Sequence, residues 1–361
     1  MTSLKKQPYR ILLTSVGSRV GQGLLYALES YRESLFVVGL NSVSRAPSLW
    51  DCDEAHLMEA TETPAYEEQL CTLLKHHHPH VVIPCRDEEL PVLSRLAATP
   101  AFSHIRFFAP PQNLLKAFTD KYQSSCFARK HGLPFAATAV DVEQLAGLLA
   151  ASDFPLVAKP RLGGHGSKGT YLVQNRAQAH RALALGNYVL QALIQPETLQ
   201  VPVHEDMGVP WISAINDVKY AVEVVIGPEG SLISLSAGRT YGNEWNNPEW
   251  TLVSDPQIIE VGQHYAEVLS RCGYRGVFNL QGKRGTTGEL VVYEMNARFT
   301  GSNPVRTVMG YNQVLHGIQS FLTPTAPLPV HAVPNERHRL YAVKMPQYYR
   351  LISEEREYDE S

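Results

Sequence analysis

Tyr293-Glu294-Met295-Asn296-Ala297-Arg298-Phe299 follows the apolar run Leu290-Val291-Val292. The run reads as a strand and the seven residues extend it. Side chains alternate faces along a strand, so Glu294, Asn296 and Arg298 point one way. An acid, an amide and a guanidinium in file are poor packing material. They are good material for a divalent cation and a phosphate. Upstream, Gly276-Val277-Phe278-Asn279-Leu280-Gln281 reads as a second strand. A hairpin through Gly285-Thr286-Thr287-Gly288 sets Gln281 beside Glu294. Magnesium takes oxygen ligands, one or two of them carboxylates and the rest phosphates and water.

The first third of the chain alternates strands and helices. Strands at Arg10 to Ser15, Leu35 to Leu40, Ala55 to Met58, Val81 to Pro84 and Arg106 to Ala109 are separated by helical stretches, except for a loop between the second and third. This rhythm predicts an open parallel sheet with helices on both faces, an α/β unit. A second unit starts near Pro110, with helices over Asn113 to Phe118 and Lys121 to His131. Pro155 to Pro160 reads as a strand and is followed by a loop holding Gly163, Gly164, Gly166 and Gly169, with Ser167 and Lys168 between them. Tyr188 to Ile194 is a further strand, and Tyr220 to Ile226 with Ser231 to Ala237 reads as a hairpin.

Composition narrows the function classes. The 361 residues carry a net charge of −3 and are 44% hydrophobic, enough for a large core and without a basic surface for nucleic acid or membranes. Five scattered cysteines form no C-x-x-C pair, which fits reduced thiols in a cytoplasmic protein. No run of ~20 apolar residues is present to span a bilayer.

Two glycine loops invite nucleotide chemistry. The first has glycines at 17, 21 and 23, a spacing that misses the G-x-G-x-x-G fingerprint, and the next strand ends in Asn41 where a ribose-binding acid is needed. A tight strand-to-helix turn is the plainer reading. The second loop is not a Walker A sequence, because Lys168 precedes Gly169 rather than a hydroxyl residue. It reads as a glycine-rich flap between antiparallel strands, whose backbone N–H groups can meet an anion. Acids in Arg86-Asp87-Glu88-Glu89 suit a helix N-terminus at the carboxyl end of a strand, where ligands also bind. His76-His77-His78 cannot all face one ion from a helix and read as solvated side chains.

Taken in order, Asp120-Lys121, Val157-Ala158-Lys159-Pro160 with its glycine loop, the strand ending at Gln281, and Glu294 to Phe299 followed by Gly301 resemble the ATP-grasp superfamily. The nearest likeness is to the carbamoyl-phosphate-synthase-like branch of stand-alone carboxylate–amine ligases. The resemblance implies a Rossmann-like domain over 1–111, an ATP-grasp lid over 112–190, a metal-binding subdomain over 191–325 and a C-terminal segment over 326–361. It implies that Lys121, Lys159, Gly163, Gly164, Gly166 and Ser167 hold the ATP phosphates. Gln191, Ala192 and Ile194 would form the adenine hinge. Gln281, Glu294 and Asn296 would hold Mg2+ or Mn2+, and Arg298, with Lys159, would serve the reacting carboxylate or acyl phosphate. Arg306 and Arg239 are candidate substrate anchors. The implied partners are a small carboxylate and an amine, and the family suggests a homodimer. The chain departs from the pattern at Gln191, where a glutamate is usual, and at Lys219, where an acid near the ribose is usual. Between them an insertion over 195–218 carries Glu205, Asp206 and Trp211, candidates for the ribose contact and for closing the site. A nicotinamide-dependent oxidoreductase built on the first domain and a non-catalytic nucleotide-binding module are the competing readings.

Overall fold

The strand-forming runs assemble into three sheets. The computed structural model describes residues 8–163, 168–194, 208–210, 218–241, 249–285, 287–322 and 342–343. The first sheet is parallel, in the order β3 (Glu54–Leu57), β2 (Leu35–Asn41), β1 (Tyr9–Leu13), β4 (Val81–Ile83), β5 (Arg106–Phe107). Ile11 to Leu13 and Val81 to Ile83 are fully buried, as expected of central parallel strands covered on both faces. Helices α1 (Arg19–Leu28), α2 (Pro64–His77) and α3 (Leu90–Ala97) make the crossovers. The chain leaves β1 toward β2 and returns on the other side as β4, so the topological switch point lies between β1 and β4. Ligand crevices form at the carboxyl ends of strands at such points.

The first glycine turn closes on the protein itself. Ser18 caps α1 by accepting from the Gly21 N–H at 3.1 Å. A Cβ on Gly21 would sit 2.5 Å from the Val16 backbone, so only glycine fits there. Asn41 accepts from the Gly17 N–H at 3.1 Å and donates to the Val43 carbonyl at 2.9 Å, lying across the turn.

The second sheet is antiparallel, in the order β10 (Val209–Pro210), β8 (Tyr171–Val173), β7 (Leu156–Pro160), β9 (Tyr188–Ala192), β6 (Thr138–Ala139). Helices α6 (Val142–Ala151) and α7 (Arg176–Ala184) supply Leu145, Leu148, Ala179 and Ala182 to its core. The third sheet, also antiparallel, runs β15 (Leu290–Asn296), β14 (Gly276–Arg284), β11 (Val218–Ile226), β12 (Leu232–Tyr241), β13 (Glu249–Val253), β16 (Ala342–Val343). Helix α8 (Pro256–Arg271) buries Ile258, Tyr265 and Leu269 against it. Helices α9 (Asn303–Val308) and α10 (Gln313–Leu322) follow β15. No helix among the described residues is long and apolar enough to cross a membrane.

Sheet and core membership run across the expected boundaries at two places. Helices α4 (Leu115–Thr119) and α5 (Lys121–Lys130) fall inside the expected lid, yet Phe118 and Ala128 share a core with Leu290, Val292 and Met295 of the third sheet. The expected division at 190/191 cuts through β9, and β10 returns to the same sheet. The second sheet therefore continues to Pro210. Histidines 76 to 78 do separate by face as helix geometry demands, but they are not all solvated. His76 and His78 are exposed, and His77 is buried with its ring against His56.

Candidate active site

A cavity of about 920 Å³ is walled by the second and third sheets and by the carboxyl ends of the first. Ten of the residues singled out from sequence line it: Lys159, Gly163, Gln191, Ala192 and Ile194 on or beside the second sheet, Lys121 at the start of α5, and Gln281, Glu294, Asn296 and Arg298 on or just past the third sheet. Gly164, Gly166, Ser167 and the insertion residues Glu205, Asp206 and Trp211 lie outside the described residues.

The register of β14 and β15 sets one wall. Gln281 pairs with Glu294 and Asn279 with Asn296, as the hairpin reading requires. The next pair is Gly282 with Val292, which leaves Tyr293 as an extra residue on β15. Such a bulge re-aims neighbouring groups. The Tyr293 carbonyl accepts from Lys159 Nζ at 2.9 Å and from Gln191 Nε2 at 3.5 Å. The bulge thus ties the lid strands to the wall carrying Glu294.

Oxygen donors gather on that wall. Asn296 donates its amide N–H to Asn279 Oδ1 at 3.3 Å, which leaves its own carbonyl oxygen as a ligand. Gln281 offers Oε1, reached by the Tyr293 hydroxyl at 3.4 Å. Burial pushes the Glu294 carboxyl up, but Lys121, Lys159 and Arg298 outweigh it and hold the group below the usual carboxylate range. One carboxylate and two amide oxygens on adjacent strands suit a hard cation such as Mg2+ that also takes phosphate oxygens. The donor set fits that metal.

Cations surround the cavity. Five lysines line it, at 121, 159, 168, 219 and 283, which marks the space for a polyanion. Burial pushes Lys159 down to about 7, against the pull of Glu294 and with help from Lys121. Lys121 Nζ donates to the Gly163 carbonyl at 2.6 Å, holding the start of the glycine loop. Gly163 and Gly169, the loop's described ends, both have positive φ, at 65° and 72°. Asp120 accepts three hydrogen bonds of 2.8 to 3.0 Å from Arg161, which pins the same loop to the start of α5.

The first sheet contributes the remaining side. Asp87, just past β4, accepts from Arg298 Nε and Nη2 at 3.0 and 2.9 Å. Arg19 and Glu88 line the cavity beside it. Asp87 and Glu88 stand at the strand end where the sequence allows a ligand, whereas Arg19 and Lys283 are the part of the site that sequence reasoning missed. Strand alternation from Gln281 puts Lys283 on the same face, so that signal was available. Glu89 is fully buried, with hydrogen bonds from Thr14 and Ser15 at 2.5 Å and from the Arg86 N–H at 3.1 Å.

Two sequence candidates lie elsewhere. Arg306 is fully buried and does not line the cavity. It donates to Ser236 Oγ at 2.9 Å, Thr300 Oγ1 at 2.7 Å and the Ala221 carbonyl at 3.3 Å. Arg239 is exposed on β12, opposite Tyr220 and Thr251, and is not part of the cavity lining.

Residues 11–105 match the family described as PylC-like, N-terminal domain. No curated protein matches the chain at the sequence level. Solved structures match over most of its length. An N5-carboxyaminoimidazole synthetase from Staphylococcus aureus complexed with ADP aligns at a TM-score of 0.67 and 13% identity, covering 90% of this chain and 80% of that one. The biotin carboxylase domain of 2-oxoglutarate carboxylase from Hydrogenobacter thermophilus, in complex with MgADP, ADP and bicarbonate, gives 0.62 and 16%, over 90% and 71%. An L-amino acid ligase from Bacillus licheniformis gives 0.61 and 15%, over 88% and 75%. The parallel sheet followed by two antiparallel sheets is the architecture of the ATP-grasp superfamily, and this chain has that fold.

Proposed function

We propose that the chain is an ATP-dependent ligase that activates a carboxylate as an acyl phosphate and couples it to an amine, releasing ADP and phosphate. One observation carries this reading: Gln281, Glu294 and Asn296 face Lys121 and Lys159 across a single cavity, with Glu294 held ionised. The ADP-bound synthetase and the MgADP-bound carboxylase domain of the same fold support it.

In this reading the triphosphate lies between the lysines and the acidic wall. Gln281, Glu294 and Asn296 would hold Mg2+, which shields phosphate charge when bound. Lys121 supplies a cation for the transferring phosphoryl group, and Lys159 supplies a second once the polyphosphate favours its ammonium form. Ala192 and Ile194 meet the base through their backbone. A substrate carboxylate oxygen attacks the γ-phosphorus, the bond to the β-phosphate oxygen breaks, and ADP leaves. The amine nitrogen then attacks the acyl carbon, a proton is lost, and inorganic phosphate departs. Such chemistry asks for positioning and charge neutralisation more than for covalent help. Arg298, fixed by Asp87 through Nε and Nη2 and by the Phe299 carbonyl through Nη1, places its positive charge beside the reacting groups.

The test is a matrix of amino acids and small acids assayed for ADP release with magnesium present. Release that needs both an acid and an amine supports ligation. Release with an acid alone makes the protein a carboxylate kinase, and no release with any pair removes the proposal.

A further inference from the structure

We propose that Glu54, His56 and His77 form a zinc site on the edge of the parallel sheet, remote from the nucleotide cavity. Glu54 and His56 are two residues apart on β3, so they share a face of this edge strand. His77 occupies the last position of α2 and turns inward. His56 Nε2 lies 2.7 Å from His77 Nε2, and Glu54 Oε1 lies 3.1 and 3.5 Å from those two nitrogens. Among the described residues this is the one group of three or more His, Cys, Asp or Glu side chains whose ligand atoms converge in this way.

The triangle has the size of a metal site. Atoms separated by 2.7, 3.1 and 3.5 Å lie on a circle of radius about 1.8 Å, just under the roughly 2.0–2.1 Å of zinc–nitrogen and zinc–oxygen bonds. One ion slightly off their plane reaches all three. Two imidazoles and one carboxylate are the ligand types zinc prefers over calcium or magnesium. The His77 side chain is 1% exposed while Glu54 is 40% exposed, so the site opens to solvent on the Glu54 side and a water can complete a tetrahedron. The bland alternative is a hydrogen bond between the two rings, for which 2.7 Å is also a suitable distance.

The position argues for a structural role. Glu54 opens the edge strand β3 opposite Val38 of β2, and His77 closes α2 just before β4, so the cluster joins the outermost strand of the sheet to the end of that helix. None of the three residues lines the cavity that Asp87 and Arg19 line. A metal here staples the exposed edge strand β3 to α2, and edge strands are where sheets need such protection.

Zinc chloride titrated into the full chain, followed by calorimetry and thermal melting, tests the site. One equivalent of zinc is expected to bind at micromolar concentration and to raise Tm, since a ligand that binds only the folded state stabilises it. His56→Ala and the half-exposed, near-isosteric Glu54→Gln should each weaken binding at least tenfold while circular dichroism shows the fold intact. His76→Ala, on the exposed side of the same helix end, should bind as wild type does. Absence of binding at about 100 µM zinc, or binding left unchanged by both ligand substitutions, overturns the proposal and leaves a hydrogen-bonded histidine pair.

Discussion

Arg298 donates two hydrogen bonds, of 3.0 and 2.9 Å, to a single oxygen of Asp87, a residue 211 positions earlier in the chain. The contact joins the carboxyl end of β4 to the segment just past the wall that carries Glu294. Both side chains are mostly buried, at 15% and 17% exposed. Removing one partner of such a pair strands the other charge, at a cost of roughly 3–5 kcal/mol. Asp87→Ala is therefore expected to lower the urea midpoint. In the ligase reading it also lowers kcat/KM about 100-fold, the scale of a 1 Å misplacement of a reacting group. Asp87→Asn, which keeps an acceptor oxygen and loses the charge, should fall between wild type and alanine. Wild-type kinetics in Asp87→Ala would show that Arg298 needs no such anchor.

Glu294→Gln removes the one carboxylate among the three wall donors. Magnesium-dependent ADP release is expected to drop by at least about 1,000-fold, since electrostatic stabilisation of phosphoryl transfer is commonly worth this much. The folded pKa of Glu294 lies below the model-peptide value, so the ionised form gives stability that is complete above the unfolded value and is lost as pH falls through the lower folded value. Activity near neutral pH should consequently show no acid limb from this group. An acid limb near pH 6 that vanishes in Glu294→Gln would contradict the assignment.

The sequence carried the site's linear signals and not its folded partners. Pairing of Gln281 with Glu294 followed from strand alternation and one turn. The bulge at Tyr293 did not, because an extra residue leaves the apolar pattern of Leu290 to Val292 unchanged. Asp87 looked like a helix-terminus acid, and nothing local to it signals Arg298. Arg306 looked functional because it trails the motif closely. Its burial depends on Ser236 of β12 and on Thr300 in the turn after β15, and the strand partner is far away in sequence. Helix α6 went unread since Val142 to Ala151 is small, apolar and weakly amphipathic. Its Asp141 cap, which accepts from the Gln144 N–H at 2.8 Å, was the available sign.

Arg306 should matter to stability before it matters to catalysis. Its guanidinium lies 5.0 Å from the centre of the Trp250 ring, and the buried Glu223 is its ionic neighbour. Glu223 in turn accepts from the Thr300 N–H at 2.6 Å and so holds the turn after Arg298. Arg306→Ala leaves Glu223 uncompensated and is expected to cost roughly 3–5 kcal/mol, read as a lower urea midpoint with unchanged slope. Pairing it with Glu223→Gln should recover part of the loss. A single substitution that raised KM and left the midpoint alone would return Arg306 to the role of substrate anchor.

Lys159 makes the nucleotide site sensitive to pH in the neutral range. Burial brings its folded pKa to about 7, below the value of 10.5 for an unburied lysine. Between these values the folded protein binds fewer protons than the unfolded chain, so this residue makes stability rise with pH across that window; below about 7 both states are charged and the contribution is flat. A bound polyphosphate reverses the balance, because it favours the ammonium form. Nucleotide binding should then take up about half a proton at pH 7 and nearly a whole one at pH 8. Apparent affinity should weaken about fivefold from pH 7 to 8 and about tenfold per unit beyond. Calorimetry with magnesium nucleotide in two buffers of different protonation enthalpy measures the uptake directly. Lys159→Met should abolish the uptake and weaken binding, while Lys159→Arg, charged at every pH, should flatten the pH dependence. Equal uptake in wild type and Lys159→Met would mean that the proton goes elsewhere and that Lys159 does not meet the phosphates.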